Sequence, residues 1–265
     1  MPTSAEPDSP PAASLRRRLL AGAAVLAAVV LAALAAGWVT ESRSAVSGLR
    51  AVLDDLDATD PGWRLPEIEA AREEVPDAEN SARLVTEVLR YLPRHWGVRL
   101  GTVLRKGQPR DSLLTGEGLA AARADLPGIA SLLASARRLA DLPRGRHLCA
   151  IPDNPYHASN EPHRETPFVS LLLAVDALDL AHRGLMAEAI QSCRASLNAG
   201  RSLGDDPLFW SMPIRNYACE ITYDAVEHVL RLGPAPADEL ARLAGLLADE
   251  AKHPTQFVYM RARRA

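Results

Sequence analysis

The stretch from Thr166 to Leu232 decides the predicted fold, and it reads TPFVSLLLAVDALDLAHRGLMAEAIQSCRASLNAGRSLGDDPLFWSMPIRNYACEITYDAVEHVLRL. Its first helix is predicted to begin at Thr166-Pro167, because a threonine side chain accepts from an N–H of the first turn and proline fits the next position. Arg183-Gly184 predicts the end of that helix, since glycine readily takes the left-handed backbone that closes helices. The apolar residues that recur at spacings of three and four, and so share one helical face, are Phe168, Leu171, Leu172, Val175 and Leu178.

The same signals predict a second and a third helix. The second is expected to close at Gly204, and Asp206-Pro207 repeats the start signal for the third. Pro213 lies inside that third helix, where a proline costs about 3 kcal/mol or forces a kink, so we expect the helix to begin in effect after it. Short polar connections place such helices antiparallel and face to face. The predicted stripes are Met186, Ile190, Cys193 and Leu197 in the second helix, and Leu208, Met212, Tyr217, Ile221, Val229 and Leu232 in the third.

Small residues in this stretch resemble a known helical repeat. Ala177, Gly184 and Ala189 stand at spacings of seven and five, with Cys193 four further on. This pattern resembles one unit of the tetratricopeptide type, in which small residues let two helices approach closely. The aromatic positions of that repeat are not filled here, and a solenoid usually needs about three repeats.

Four phrases carry a second, broader resemblance across residues 60–265. They are Asp60-Pro61-Gly62-Trp63-Arg64, Glu79-Asn80-Ser81-Ala82, Asp141-Leu142-Pro143-Arg144-Gly145-Arg146 and Asn198-Ala199-Gly200-Arg201-Ser202-Leu203-Gly204-Asp205. Such phrases resemble those of uncharacterised, membrane-anchored helical proteins from planctomycete-type bacteria. That resemblance implies a helical fold and a bacterial membrane location. It implies no activity and no functional residues.

Composition favours an all-α fold and argues against nucleic-acid binding. Apolar residues make up 48% of the 265-residue chain, mostly alanine and leucine, whereas aromatic residues make up only 5%. Strands draw on aromatic and β-branched residues, so this balance predicts helices. Lysine occurs only at Lys106 and Lys252, and the net charge is −3. A duplex-binding protein needs a basic face, so no nucleic-acid partner is expected.

An N-terminal membrane anchor is predicted after a short polar tail. Residues 1–18 end in Arg16-Arg17-Arg18, and residues 19–39 follow without a charge, which is enough to span a bilayer core. The arginine cluster is expected in the cytoplasm and the bulk of the chain on the extracytoplasmic side. Ala33-Leu34-Ala35 leaves a cleaved signal peptide as an alternative. Small residues four apart, such as Ala28 and Ala32, leave a homo-oligomer possible.

Residues 40–165 are predicted to form a membrane-proximal helical region with long loops. Residues 40–57 should continue as helix, ending in a solvated acidic cluster rather than a calcium loop. Helices are expected at 66–74, 78–92 and 117–142, the last interrupted at Leu126-Pro127. A short strand is expected at 98–104, within a basic stretch around Trp96 that we interpret as a solvated loop rather than an anion-binding one. The predicted apolar faces are Val46, Leu49, Leu53 and Leu56 in the helix at 40–57, and Leu84, Val88 and Leu92 in the helix at 78–92.

The loop at 143–165 is the only predicted concentration of metal-competent side chains. It contains four prolines and the residues His147, Cys149, His157, Glu161, His163 and Glu165. No two of its histidines have the spacing of a helical zinc site, and His-Glu-x-x-His is absent. We therefore interpret it as a polar surface loop and assign no metal ligand.

Two further patterns suggest chemistry without establishing it. Gly200-Arg201-Ser202-Leu203-Gly204 matches Gly-x-Ser-x-Gly, but a hydrolase needs a strand before the serine, and here a helix precedes it. Cys193 and Cys219 lie on adjacent predicted helices, and packing as small apolar residues is favoured over a disulfide.

A fourth helix is predicted from Pro236 to Pro254, with Leu240, Leu243 and Leu247 as its apolar face.

No motif names a reaction or a ligand, so no catalytic, cofactor-binding or metal residue is assigned. The predicted fold is all-α: a transmembrane helix at 19–39, a membrane-proximal region at 40–165 and a helical-repeat-like domain at 166–265. Stacked helix pairs generally present concave protein-binding surfaces. We therefore expect a membrane-tethered, non-enzymatic interaction or scaffold module with a protein partner. The alternative is an extracytoplasmic enzyme or metal-binding domain that uses the 143–165 loop.

Overall fold

The computed structural model describes residues 12–93, 96, 120, 123–147, 161–208, 210–253 and 260. Every regular element among these residues is a helix, which confirms the all-α class. The chain forms two compact units, Met1–Pro61 and Gly62–Ala265. The helices are α1 (Ala12–Thr59), α2 (Leu65–Ala70), α3 (Ser81–Tyr91), α4 (Ala130–Arg137), α5 (Glu161–His182), α6 (Met186–Arg201), α7 (Ser211–Leu232) and α8 (Ala237–Lys252), with short 3-10 helices at Leu126–Ile129 and Arg138–Asp141.

The first unit is built on α1, which runs unbroken for 48 residues. At 1.5 Å per residue this helix is about 72 Å long. Its segment Leu20–Thr59 is the one helix in the described part of the chain that is long and apolar enough to cross a membrane, with a window of mean hydropathy 2.4 that is entirely unburied. The predicted apolar span and the predicted helix that follows it therefore belong to one continuous helix.

The second unit has α5 at its centre. This helix packs against α6, α7, α3 and α4. Leu171, Leu172 and Leu173 are adjacent in sequence and point in different directions, yet each is at most 1% exposed. Burying each of these side chains contributes about 1.5–3 kcal/mol. The prediction of a single apolar face on this helix was therefore too narrow, because neighbours surround it.

Hydroxyl groups join the three core helices where small residues let them approach. Ser196 of α6 donates from its Oγ to the carbonyl oxygen of Ser170 in α5 (2.9 Å), and the Ser170 Oγ donates to the Ser196 carbonyl oxygen (3.1 Å). The Ser196 hydroxyl also lies 2.7 Å from the Thr222 hydroxyl of α7. A Cβ atom built on Gly200 of α6 would lie 2.9 Å from the Ala218 side chain of α7. These contacts satisfy buried polar groups and fix how the helices pack.

The start of α5 differs from the prediction. The helix begins at Glu161, so Thr166 and Pro167 lie inside it and do not form its start. Thr166 is fully buried, and the packing of the residues around it outweighs the local start signal. The predicted end is correct: Gly184 has a φ of +77°, and the Leu185 amide donates to the Leu180 carbonyl oxygen (3.0 Å), as in a Schellman motif.

The third predicted helix, α7, does not begin where the sequence indicated. It begins after the predicted start signal Asp206-Pro207 but before Pro213, although we expected the helix to begin in effect only after that proline. It starts at Ser211, which places Pro213 in the first turn, where an amide would have no intrahelical partner. The proline therefore removes no ladder bond, and the expected cost does not arise. Asp206 instead accepts from the Leu208 amide (2.8 Å) within the turn before the helix. The residues of α7 that are buried include Arg215, Ala218, Cys219, Ile221, Thr222, Ala225 and Val229, whereas Leu232 is exposed.

The remaining helices follow the predicted order. Helix α2 begins one residue before the predicted range 66–74 and ends four residues before its end, whereas α3 lies within 78–92, and Leu84 and Val88 are buried. The 117–142 helix is interrupted near Leu126-Pro127 as expected. Helix α8 begins one residue after Pro236, and its Leu243 is buried. The predicted strand at 98–104 lies outside the described residues.

Candidate functional site

Three separate segments of the second unit meet in what we call the polar junction: residues 79–82, 141–147 and 198–205. Each segment contains one of the phrases on which the broader resemblance rests. The junction includes the start of α3 and the end of α6 with the turn that follows it. Backbone groups, two glycines and several arginines hold the segments together.

Asn80 and Ser81 fix the start of α3 to the chain at Arg144–Arg146. The Asn80 Oδ1 accepts from the Ala82 amide (3.0 Å), as a helix cap does, and also from the Arg146 amide (2.9 Å). The Asn80 Nδ2 donates to the Arg146 carbonyl oxygen (2.9 Å). The Ser81 amide and hydroxyl both donate to the Arg144 carbonyl oxygen, at 2.9 and 2.7 Å. The Asn80 side chain thus caps α3 and also hydrogen-bonds the backbone of Arg146, which is distant in the chain.

Two glycines allow the backbones of the junction to touch. A Cβ atom on Gly145 would lie 2.4 Å from the Ser202 carbonyl oxygen and 2.6 Å from the Ser81 Oγ. A Cβ atom on Gly204 would lie 2.3 Å from the Gly145 carbonyl oxygen, and Gly204 also has a φ of +59°. A side chain at either position would have to push backbone aside, so only glycine fits without strain.

Arg72 binds the turn after α6 from one side. Its side chain is 1% exposed and donates from Nε to the Asp205 Oδ1 (2.8 Å) and from Nη1 to the Glu69 Oε2 (2.8 Å). The same Nη1 also donates to the His147 carbonyl oxygen (3.2 Å). Burial lowers the pKa of Arg72, but the hydrogen bonds with Asp205 and Glu69 outweigh it and raise that pKa above its ordinary value. The guanidinium therefore stays charged and holds two loops to α2.

Arg215 of α7 binds the same turn from another side. It donates from Nη1 to the Gly204 carbonyl oxygen (2.6 Å) and makes a two-bond pair with Glu250 of α8, at 2.8 and 2.6 Å. Both side chains are nearly inaccessible, at 3% and 8% exposed. Burial raises the pKa of Glu250, but its bond with Arg215 outweighs that effect, so the net pKa is lowered. The pair joins α7, α8 and the polar junction.

Three other titratable groups lie around Glu250: Cys219 is buried, His253 is half-buried and Tyr223 is 43% exposed. Burial, followed by the charge of Glu250, raises the pKa of Cys219 to about 12, and the Cys219 Sγ donates to the Glu250 Oε1 (3.7 Å). Burial also raises the pKa of Tyr223 to about 12. The pKa of His253 is lowered, first by burial and then by the charge of Arg215. A thiol with so high a pKa is protonated at neutral pH and is a poor nucleophile.

An open groove lies beside the polar junction, along α3. Its volume is about 740 Å³. Charged groups of both signs line it, including Arg83, Arg90 and Glu87 of α3, and the exposed Tyr91 stands at one end. We call it the α3 groove. Its lining residues are Glu74, Val75, Asp77, Asn80, Ala82, Arg83, Thr86, Glu87, Arg90, Tyr91, Arg146 and His147.

The structure places the residues that the sequence singled out for chemistry in structural roles or outside the described range. Ser202 is fully buried and donates from its Oγ to the Ala199 carbonyl oxygen (2.6 Å), in a turn that ends a helix. Cys193 and Cys219 are both free thiols, and burial raises the pKa of Cys193 to about 12. These groups therefore pack the helices together.

The 143–165 loop is described only at its two ends. His147 is buried in the lining of the α3 groove, and Glu165 is exposed on α5. Cys149 and His157 lie outside the described residues, as do the side chains of Glu161 and His163. Within the described ranges no three His, Cys, Asp or Glu side chains are grouped so as to hold a metal ion. The metal-binding alternative stays a prediction that rests on residues beyond those ranges.

Sequence reasoning missed the arginine network because its partners are far apart in the chain. Arg72 and Asp205 are 133 residues apart, and Arg215 and Glu250 are 35 apart. One signal was present: Arg215 stands three residues before Ala218 and four before Cys219, on a helical face that is otherwise small and apolar. An arginine on such a face indicates a buried ion pair.

Comparison of the chain with protein-family models, with curated proteins and with solved structures finds no significant match.

Proposed function

We propose that this protein is a membrane-tethered, non-enzymatic interaction module, in which α1 is a single-pass anchor and the second unit binds a protein partner. The α3 groove is the observation that carries the proposal. It is open, it lies on a unit whose helices α7 and α8 are joined by a buried ion pair, and it offers hydrogen-bonding groups of both charges. A polar protein segment matches such a lining better than an apolar small molecule would.

The apolar helix and its flanking charges support a proposed location for the module. Arg16-Arg17-Arg18 precede the apolar part of α1, and positive residues that flank a span favour the cytoplasm. The second unit would then lie on the extracytoplasmic side. The likeness of the α5–α6 pair to a tetratricopeptide unit, and of the chain to membrane-anchored proteins of planctomycete-type bacteria, fits such a module.

Affinity purification of the cross-linked, detergent-solubilised protein from its own cells tests this function. Arg83 is 63% exposed in the α3 groove, and Arg231 is 67% exposed at the end of α7, outside the residues that line the groove. Each pairs with a nearby carboxylate, so replacing either by glutamate makes a similar local change. We expect a stoichiometric partner that Arg83→Glu reduces at least tenfold and Arg231→Glu leaves in place.

Equal recovery of the partner with both variants would move the binding site away from the α3 groove. A protein that comes without any partner, while a substrate screen detects turnover, would reject the interaction module itself.

A further inference from the structure

The part of α1 that follows the apolar segment carries an exposed apolar face at coiled-coil spacing. Val46 is 51% exposed and Leu49 is 60% exposed, although both are large and apolar. Counting Val39 as the first position of a heptad (a), the a and d positions continue to the end of the helix. We call this face the heptad seam, and it consists of Val39, Ser42, Val46, Leu49, Leu53 and Leu56.

The bilayer core cannot cover this seam. The uncharged segment ends at Val39, and Glu41 and Arg43 follow at once. Residues 40–56 extend about 25 Å beyond that segment at 1.5 Å per residue. Asp54 and Asp55 belong to the same stretch and Asp57 follows it, so the stretch lies in water. An apolar stripe in water needs a protein surface to cover it.

The geometry points to a second copy of this chain as that surface, in a parallel two-stranded coiled coil. Two anchors inserted the same way in one membrane are parallel and at equal depth, so identical residues face each other. Two of the three a positions are valine, Val39 and Val46, and the last two d positions are leucine, Leu49 and Leu56. Valine at a with leucine at d favours two strands in parallel. The inference rests on the proposed membrane tether.

The flanks of the seam are compatible with this pairing. In a parallel pair, each g position lies beside the e position of the next heptad in the partner helix. Here Ala45 would lie beside Arg50, and Val52 beside Asp57, so no like charges meet. Val52 is itself exposed and apolar, and it widens the covered face.

The seam also continues into the apolar segment in the same register. Val25, Ala28, Ala32 and Ala35 occupy the preceding a and d positions, and all are exposed on α1. Small side chains let two membrane helices approach closely. The pairing thus extends over five heptads, from Val25 to Thr59, without a change of helical face. A pair of chains would present two copies of the second unit on one stalk.

Disulfide cross-linking in isolated membranes tests the pairing. The full-length chain, with Cys149 replaced by serine, carries one new cysteine at a time: Val46→Cys or Leu49→Cys on the seam, and Ser47→Cys or Ala51→Cys on the outer face. A disulfide needs Cα atoms within about 7 Å, which facing seam positions satisfy and outer positions do not. On mild oxidation we expect at least fivefold more homodimer from the two seam variants.

A second pair of variants shows whether the Val46→Cys cross-link comes from specific pairing or from random collision of chains. Adding Leu49→Lys to Val46→Cys places like charges at the facing d positions and should remove most of the cross-link, whereas adding Ala51→Lys should not. Equal cross-linking at all four positions, or a product of a mass other than the dimer, would overturn the pairing.

Carbonate extraction of the same membranes distinguishes a failure of the pairing from a failure of the membrane tether. A protein that resists extraction but gives no seam-specific dimer rejects the pairing and leaves the tether intact. A protein that carbonate releases rejects the tether, and the pairing inferred from it is rejected as well.

Discussion

At the scale of single residues, the glycines of the polar junction have the sharpest consequences. A Cβ atom on Gly145 would meet backbone at 2.4 Å, whereas one on Gly245, in the middle of α8, would meet nothing within 4 Å. The first position leaves no room for the smallest side chain. The second merely carries the entropic cost of glycine in a helix.

We expect Gly145→Ala to lower the free energy of unfolding of the second unit by at least about 1–3 kcal/mol, the usual cost of overpacking. Gly245→Ala should raise that free energy by about 0.5–1 kcal/mol. Urea unfolding of the detergent-solubilised chain, followed by the fluorescence of the buried Trp63, measures both. Equal and small effects would show that the 144–146 chain does not pack on the turn after α6 as described.

The Arg215–Glu250 pair makes a second prediction at this scale. Arg215→Leu leaves the buried Glu250 carboxylate with only its longer contact to the Arg201 Nε (3.5 Å), and breaking a buried pair in this way costs about 3–5 kcal/mol. The double variant Arg215→Leu with Glu250→Leu removes both charges and should lose less, even though the Gly204 carbonyl oxygen loses a donor and Arg201 loses its contact with Glu250. A double variant as unstable as the single one would contradict the pairing.

His253 makes the stability of the second unit depend on pH. Its pKa is lowered in the folded protein by burial and by Arg215, so the unfolded chain binds a proton more readily. The stability is therefore fully present above the unfolded pKa of about 6.5 and falls as the pH drops below it toward the folded pKa. We expect the urea midpoint to decrease between pH 7.5 and pH 5.5. His253→Asn should flatten that decrease, and an unchanged slope in this variant would assign it to another group.

At the scale of elements, the sequence predicted helices well where signals are local. The end of α5 at Gly184 and the start of α8 after Pro236 follow from glycine and proline chemistry that acts within a few residues. The start of α5 was wrong because Thr166 is buried by the helices around it, and the start of α7 was wrong because Asp206 accepts from the Leu208 amide in a turn that precedes the helix. Tertiary packing overrides local capping preference.

The face of α7 shows the same limit. Its predicted stripe was chosen for large apolar residues, yet Leu232 is exposed and the core contains Ala218, Thr222 and Ala225. Helices that approach closely bury small residues, and only the partner helix reveals that approach. The polar junction was equally hard to predict, since the hydrogen bonds of Asn80 and Ser81 join positions more than 60 residues apart. The phrases that suggested a resemblance did mark its three segments.

At the scale of the whole molecule, the account depends on α1 remaining attached to the second unit. The interaction module needs a tether, and the heptad seam acts only on chains that keep it. Cleavage of a signal peptide after Ala35 would remove residues 1–35, which include most of the apolar part of α1. The second unit would then be released with the rest of that helix. The two possibilities differ in which peptides the mature protein contains.

Mass spectrometry of tryptic peptides from the mature protein in carbonate-washed membranes is the most direct test. Trypsin cuts after Arg18 and Arg43, so an uncleaved anchor yields the peptide of residues 19–43. The account predicts that peptide, in the membrane fraction, at the same abundance as peptides of the second unit. A mature N-terminus at residue 36, with the protein in the carbonate supernatant, would contradict it.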